Sequence, residues 1–216
     1  MNKRFNFDEQ YLNQADFLIG TDEAGRGPGA GAVFAAAVCF TTLDKQTKKL
    51  LDNLNDSKQL TEKQREELYE IITKNSIWSV YEGSVEDIEK LNILRTSLLT
   101  MKKCVDEIIL KLKSENIIVL VDGNKKIPQL KYNQETIVKG DSKSASIAAA
   151  SIIAKVTRDR YMLELDKEFP MYKWAENKGY MTKEHLEAVD KYGLTIWHRK
   201  KFFEKHFEKS EQLQLF

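Results

Sequence analysis

Cysteine is almost missing from this chain: there are two in 216 residues, without the paired Cys or His spacing that a zinc site requires. Cys39 lies in an apolar, strand-like run and Cys104 in a helical pattern, so both read as free, buried thiols of a reducing compartment. No apolar run approaches transmembrane length, and Met1-Asn2-Lys3-Arg4-Phe5 lacks the apolar core of a signal peptide, which places the chain in the cytoplasm. An excess of charge is absent too. With 34 Lys and Arg against 33 Asp and Glu the net charge is +1, so attraction for a polyanion has to come from local patches such as Lys139, Lys143, Lys155, Arg158 and Arg160. No internal repeat and no long linker divides the sequence.

What is present is ordinary globular material, 42% hydrophobic and 31% charged, enough for one good-sized core and an appendage. Phe17 to Thr21 and Gly31 to Phe40 read as neighbouring strands, the second too apolar to have an exposed face. Thr61 with Gln64 forms a capping box for a helix from Glu62 to Lys74. Ile77 to Gly83 suits a strand, Ile93 to Lys113 a long helix, Ile117 to Val121 a buried strand, and Tyr132 to Val138 a further strand. Ser144 to Phe169 is a helix whose opening alanines let it lie close against a sheet. Strands first, then helix and strand in alternation, indicate an α/β protein with a mixed sheet flanked by helices.

The most telling stretch is Asp22-Glu23-Ala24-Gly25-Arg26-Gly27-Pro28, directly after the apolar Phe17-Leu18-Ile19-Gly20. Adjacent carboxylates are hard ligands for Mg²⁺ or Mn²⁺, the glycines let a phosphodiester approach the backbone, and the arginine offers a planar fork for phosphate. Asp122 ends another strand and Asp141 precedes the alanine-rich helix, so four carboxylates from distant sequence converge at one sheet edge. Taken singly, Asp122 also suits an Asp-Gly turn and Asp141 a helix cap. Adjacent strand residues face opposite ways, so Asp22 and Glu23 share a site only if the chain turns there or Glu23 reaches around the strand end. His185, His198 and His206 read as packing or surface residues.

Six segments, IGTDEAGRGPGAGAVFAAAV, NDSKQLTEKQREEL, VLVDGN, VKGDSKSASIAAASIIAKVTRDRYM, NKGYMTKEHLEAV and YGLTIWHRKKF, in this order closely resemble bacterial ribonuclease HII from about Phe17 to Phe202. The resemblance implies a ribonuclease H-like mixed β-sheet flanked by helices with a C-terminal helical extension. Its implied organisation is an N-terminal extension over 1–16, a catalytic core over 17–180, a helical region over 181–208 completing the substrate groove, and a tail over 209–216. It implies that Asp22, Glu23, Asp122 and Asp141 are catalytic carboxylates holding two divalent metals, Mg²⁺ or Mn²⁺. Gly25, Arg26 and Gly27 match the motif that contacts a ribonucleotide's 2′-hydroxyl, and Tyr180 matches the tyrosine that senses the sugar at the RNA–DNA junction. Lys58 and Lys143 stand where relatives carry basic residues near the nucleic-acid backbone. Met181, Ala32, Leu194 and Lys201 depart from the pattern, which bears on the shape of the tyrosine loop.

The implied reaction is hydrolysis on the 5′ side of a ribonucleotide in RNA/DNA hybrids or duplex DNA, serving ribonucleotide removal in replication and repair. A monomer is expected. The related ribonuclease HIII carries an extra N-terminal domain, for which the roughly sixteen residues before the first strand are too few. At the C-terminus, Gln212, Leu213, Leu215 and Phe216 look like the QLxLF peptide by which bacterial proteins dock on the DNA sliding clamp.

Overall fold

The computed structural model describes residues 2–214 apart from 43 and 56, with side chains described to residue 208. In chain order it contains α1 (Lys3–Leu12), β1 (Phe17–Ala24), β2 (Val33–Cys39), α2 (Lys45–Leu50), α3 (Glu62–Asn75), β3 (Ile77–Gly83), α4 (Val85–Leu91), α5 (Ile93–Leu112), β4 (Ile117–Asp122), β5 (Asn133–Ile137), α6 (Ala145–Glu168), α7 (Trp174–Asn177), α8 (Lys183–Tyr192) and α9 (Lys200–Gln214). The five strands form one mixed sheet in the order β3-β2-β1-β4-β5, antiparallel among the first three and parallel from β1 onward.

The sheet is covered on both faces, which is why β2 is apolar throughout and wholly buried. Ala36 and Val38 join α6 residues such as Ala149, Ile152 and Ile153, and α3 residues Leu68 and Ile72. The alternate residues Ala35, Ala37 and Cys39 join Met101, Cys104, Val105 and Ile108 of α5. The small residues of α6 bring its backbone onto β1: a Cβ on Gly20 would stand 2.3 Å from the Ile147 nitrogen. This contact sets the N-terminal turn of α6 close against the middle of β1. Among the described residues, no helix is long and apolar enough to cross a membrane.

Two differences from the sequence reading concern the termini. Residues 1–16 include a helix, α1, which is capped by Asn2 and docked by Phe5 and by Asp8, whose Oδ2 accepts hydrogen bonds from the Ser146 N–H at 2.8 Å and hydroxyl at 2.7 Å. At the other end α9 runs to Gln214, beyond the expected start of a tail at residue 209. Of the candidate clamp peptide, Leu215 and Phe216 lie outside the described residues, as do the side chains of Gln212 and Leu213.

Candidate active site

Parallel pairing of Thr21 with Val121 brings the ends of β1 and β4 together, and hence Asp22 beside Asp122. Both line a cavity of about 290 Å³ with Glu23, Gly25, Arg26, Gly27, Lys58, Asp141 and Tyr180. The chain does not turn at Asp22. β1 stays paired with β2 through Ala24, so Asp22 and Glu23 do face opposite ways. Asp22 sits on the α6 side, sharing the cavity wall with Ser151, while Glu23 lies on the α5 side near Ser97. Asp122 lines both the main cavity and a smaller one of about 110 Å³ containing Glu23, Arg26 and Ser97. The acidic residues therefore wrap around a strand end.

Three of the carboxylates are held by a local donor. Asp22 Oδ1 accepts the Glu23 N–H at 2.7 Å, Glu23 Oε1 pairs with the Arg26 guanidinium at 3.3 Å, and Asp122 Oδ1 accepts the Gly140 N–H at 2.7 Å. Asp141 occupies the 3₁₀ turn Gly140–Ser142, where its carbonyl accepts the Arg4 Nε–H at 3.1 Å. The cap of α6 is Ser144 and not Asp141, which lines the cavity. Behind Asp22 the Ser151 and Ser57 hydroxyls stand 3.0 Å apart.

Burial, then the charges of Glu23 and Asp122, push Asp22 well above the ordinary carboxylate range. Burial also raises Glu23, against which Arg26 acts. A set of hard oxygen donors whose ionised forms repel one another in a water-poor cleft suits a divalent cation. Among the described residues, no three His, Cys, Asp or Glu side chains already stand as a closed ligand group.

The basic residues separate into distinct environments rather than one patch. Lys155 lines the cavity and pairs with Asp159 at 2.6 Å, Lys58 lines it from the turn Ser57–Gln59, and Lys139 and Lys143 are exposed outside it near Asp141. Arg160 points away, paired with Glu66 and lying over the Tyr69 ring. Arg158 contributes to the cavity wall but is buried, with all its described hydrogen bonds directed to main-chain carbonyls. It does not belong to a surface patch.

Tyr180 is half exposed and lies against Gly27, where an added Cβ would be 3.3 Å from the ring. Its loop is tied to the glycine loop, because the Gly179 carbonyl accepts the N–H groups of Gly29 at 2.9 Å and Ala30 at 3.2 Å. The buried histidines support it from below. His185 Nε2 accepts the Trp174 indole N–H at 3.1 Å, so its proton belongs on Nδ1 and is donated to the Tyr180 carbonyl at 2.9 Å. His198 Nδ1 accepts the Thr195 N–H at 2.9 Å, leaving His198 Nε2–H to donate to His185 at 3.1 Å. Burial, then the neighbouring His185, holds His198 down to about 3, and burial also lowers His185, so both are neutral packing residues. His206 is bonded to Asp190 at 2.7 Å. None of the three lines the cavity.

The family model for ribonuclease HII matches residues 19–209, which include every element contributing to the cavity. The chain belongs to the ribonuclease HII family. It is 51% identical to a ribonuclease HII of Pelagibacter ubique over 86% of this chain and 95% of the relative. A ribonuclease HII of Fusobacterium nucleatum is 48% identical over 98% of this chain and 95% of that relative. Among solved structures, the ribonuclease HII of Archaeoglobus fulgidus, determined as a complex with PCNA, superposes with a TM-score of 0.68 at 30% identity, covering 85% of this chain and 93% of that one. A ribonuclease HIII, Bst-RNase HIII in complex with Mn²⁺, shares the fold with a TM-score of 0.66 at 16% identity, covering 88% of this chain and 68% of that one. Membership makes this chain a metal-dependent endoribonuclease acting on RNA/DNA hybrids.

Sequence reasoning missed Ser151, Ser57 and Arg199. The serines lie in segments quoted for the family resemblance, but nothing local in the sequence singles them out from the small residues around them. Arg199 stands in the basic run His198-Arg199-Lys200-Lys201, indistinguishable there from solvated cations.

Proposed function

We propose that this chain cleaves the phosphodiester on the 5′ side of a ribonucleotide, in hybrids and at single ribonucleotides embedded in duplex DNA. The observation that carries the reading is the convergence of Asp22, Glu23, Asp122 and Asp141 with Gly25, Arg26, Gly27, Lys58 and Tyr180 on one cavity. The four carboxylates are the residues that would hold divalent metal, Mg²⁺ or Mn²⁺. Bound there, two such ions would supply water activation and charge stabilisation at the leaving oxygen. The Glu23 N–H holds Asp22 in place, and the Gly140 N–H does the same for Asp122. Arg26, half exposed at the rim, and Lys58 offer cations to the phosphate backbone, with Lys143 placed to meet it beyond the cavity.

Selection of RNA over DNA requires recognition of the 2′-hydroxyl. Gly25 and Gly27 leave the backbone accessible to it, and Tyr180 presents a flat ring to the sugar. The buried thiols of Cys39 and Cys104, both pushed up to about 12 by burial, suit the reducing cytoplasm. Cleavage-site mapping on a duplex with one ribonucleotide tests the reading. The expected products are a DNA 3′-hydroxyl and a 5′-phosphate on the ribonucleotide, with Asp122→Asn inactive yet still folded and duplex-binding. Cleavage on the other side of the ribonucleotide, or near-normal turnover by Asp122→Asn, overturns it.

The C-terminal Gln212-Leu213-Gln214-Leu215-Phe216 supports a second activity of the same chain, docking on a bacterial sliding clamp. A ribonuclease HII structure solved with PCNA favours a clamp partner. Such a contact, at micromolar strength about −8 kcal/mol, would raise the enzyme's local concentration at newly replicated DNA. Deleting 212–216 is expected to eliminate clamp association while short-duplex cleavage is unchanged. Undiminished clamp binding after the deletion refutes the assignment.

A further inference from the structure

Two buried guanidinium groups lie beneath the glycine loop, and neither forms an ion pair among the described residues. Arg199 gives its Nε–H to the Gly31 carbonyl at 2.9 Å, Nη1–H to Arg26 at 3.3 Å and Nη2–H to Gly25 at 2.7 Å. Arg158 gives its Nε–H to Ala32 at 3.2 Å, Nη2–H to Ala30 at 3.2 Å and Nη1–H to the Lys178 carbonyl, in the loop before Tyr180, at 3.0 Å. Six main-chain carbonyls from the two cavity loops thus converge on two planar forks that came from α6 and from the start of α9. Burying two like charges without carboxylates is costly. Burial, followed by the Arg158 charge, pushes Arg199 down to about 9, which leaves it a cation at neutral pH.

The orientation of those carbonyls has a direct consequence on the opposite side of the loop. No peptide is cis among the described residues, and in a planar trans peptide the C=O of one residue and the N–H of the next point in opposite directions. With the Gly25 and Arg26 carbonyls drawn inward to Arg199, the N–H groups of Arg26 and Gly27 are directed outward, on the side where these residues line the cavity. Among the described residues neither N–H donates a hydrogen bond within the protein. Pro28, next in the chain, has no N–H to offer.

We propose that Arg199 is a specificity-determining positioning residue, aiming the Arg26 and Gly27 amides at the ribonucleotide's 2′-hydroxyl, while Arg158 sets the distance from that donor pair to Tyr180. The proposal rests on the reading of the glycine loop and Tyr180 as the sugar-sensing elements. A lysine in place of Arg199 keeps the charge but offers a point donor instead of a three-point fork, so the peptide planes lose their alignment.

The test is competitive binding in an Asp122→Asn background, comparing a duplex containing one ribonucleotide with the same all-DNA duplex. Wild-type discrimination between the two tests the sugar-sensing reading itself, and its absence there would sink that reading. Given such discrimination, Arg199→Lys is expected to reduce it by about five- to tenfold, the worth of one hydrogen bond, with affinity for the all-DNA duplex nearly unchanged. Tyr172→Phe serves as the control for general weakening of the C-terminal core, because it removes the Tyr172 hydroxyl bond to the Gly193 carbonyl without touching either loop. A folded Arg199→Lys with full discrimination, or an equal loss in Tyr172→Phe, overturns the proposal. If Arg199→Lys does not fold, amide exchange on the unmutated loop decides. The Arg26 and Gly27 amides should exchange rapidly in the free protein and be protected by the ribonucleotide duplex but not by DNA alone, and equal protection by both refutes the assignment.

Discussion

Gly25 and Gly123 form a matched pair that measures how firmly Arg158 is held. Both have positive φ, +99° and +96°, so an alanine at either position carries a backbone cost of about 1–2 kcal/mol. Their surroundings differ. A Cβ at Gly123 meets nothing within 4 Å, whereas one at Gly25 stands 2.1 Å from Arg158 Nε and 2.5 Å from its Cδ. Arg158 has to move, which breaks at least its Nε–H bond to Ala32, and a hydrogen bond from a charged donor is worth about 1.5–3 kcal/mol. Gly25→Ala is therefore expected to cost about 2.5–5 kcal/mol and Gly123→Ala about 1–2 kcal/mol, a gap of some 1.5–3 kcal/mol out of a total stability of about 5–15 kcal/mol. In thermal unfolding of metal-free protein this is a fall of about 5–20 °C against about 2–8 °C, at ~2–4 °C per kcal/mol for a chain of this size. Urea titration gives the same difference as a shift in midpoint at constant slope. Equal losses in the two variants would show that Arg158 swings aside freely, and the rigid carbonyl clamp would have to be abandoned.

Gly27→Ala is the cleaner probe of sugar reading, because its Cβ meets only the Tyr180 ring, at 3.3 Å; it should fold with a loss under about 1 kcal/mol while ribonucleotide cleavage falls more than duplex affinity, and a parallel fall of both would mean that the loop only positions backbone. Asp8 gives the pH dependence. Burial pushes its carboxyl up to about 6 from 3.8, so the folded state holds the proton more tightly, and stability present below pH 4 is lost as the pH rises through about 6. Asp8→Asn, with an oxygen still able to accept from Ser146, should be about 1–3 kcal/mol more stable than wild type at pH 7.5 and close to it at pH 4; an unchanged difference across that range excludes the buried charge as the cause. Millimolar Mg²⁺ or Mn²⁺ should raise the melting temperature of the wild-type protein and leave Asp22→Asn almost unmoved, and an equal rise in both would place the ion elsewhere.

The parts of this molecule that were legible in sequence are those whose cause is local. β2 announces two buried faces because every residue from Val33 to Cys39 is apolar, and Thr61 with Gln64 marks the start of α3 by a bond between near neighbours. The strand-end positions of Asp22, Glu23 and Asp122 follow from where the apolar runs stop. Local reasoning also supplied the correct difficulty, that Asp22 and Glu23 face opposite ways, but only the structure shows its resolution, with Asp122 lining cavities on both sides of the strand end. Features made by distant partners were hidden. α1 is largely polar and takes its place from Phe5 and from the Asp8 contact with Ser146, 138 residues away. An arginine looks the same in sequence whether its partners are water and phosphate or carbonyls, and Arg158 was read as a surface cation although its carbonyl partners in the glycine loop lie at least 126 residues away. The same blindness affects the glycines. Read from the sequence, Gly25 leaves room for a substrate above the loop, but in the fold it equally leaves room for Arg158 below it. A glycine loop whose carbonyls are gathered by two buried guanidinium groups has little freedom left to adjust, and the proposed discrimination of a hydroxyl from a hydrogen would draw on that stiffness.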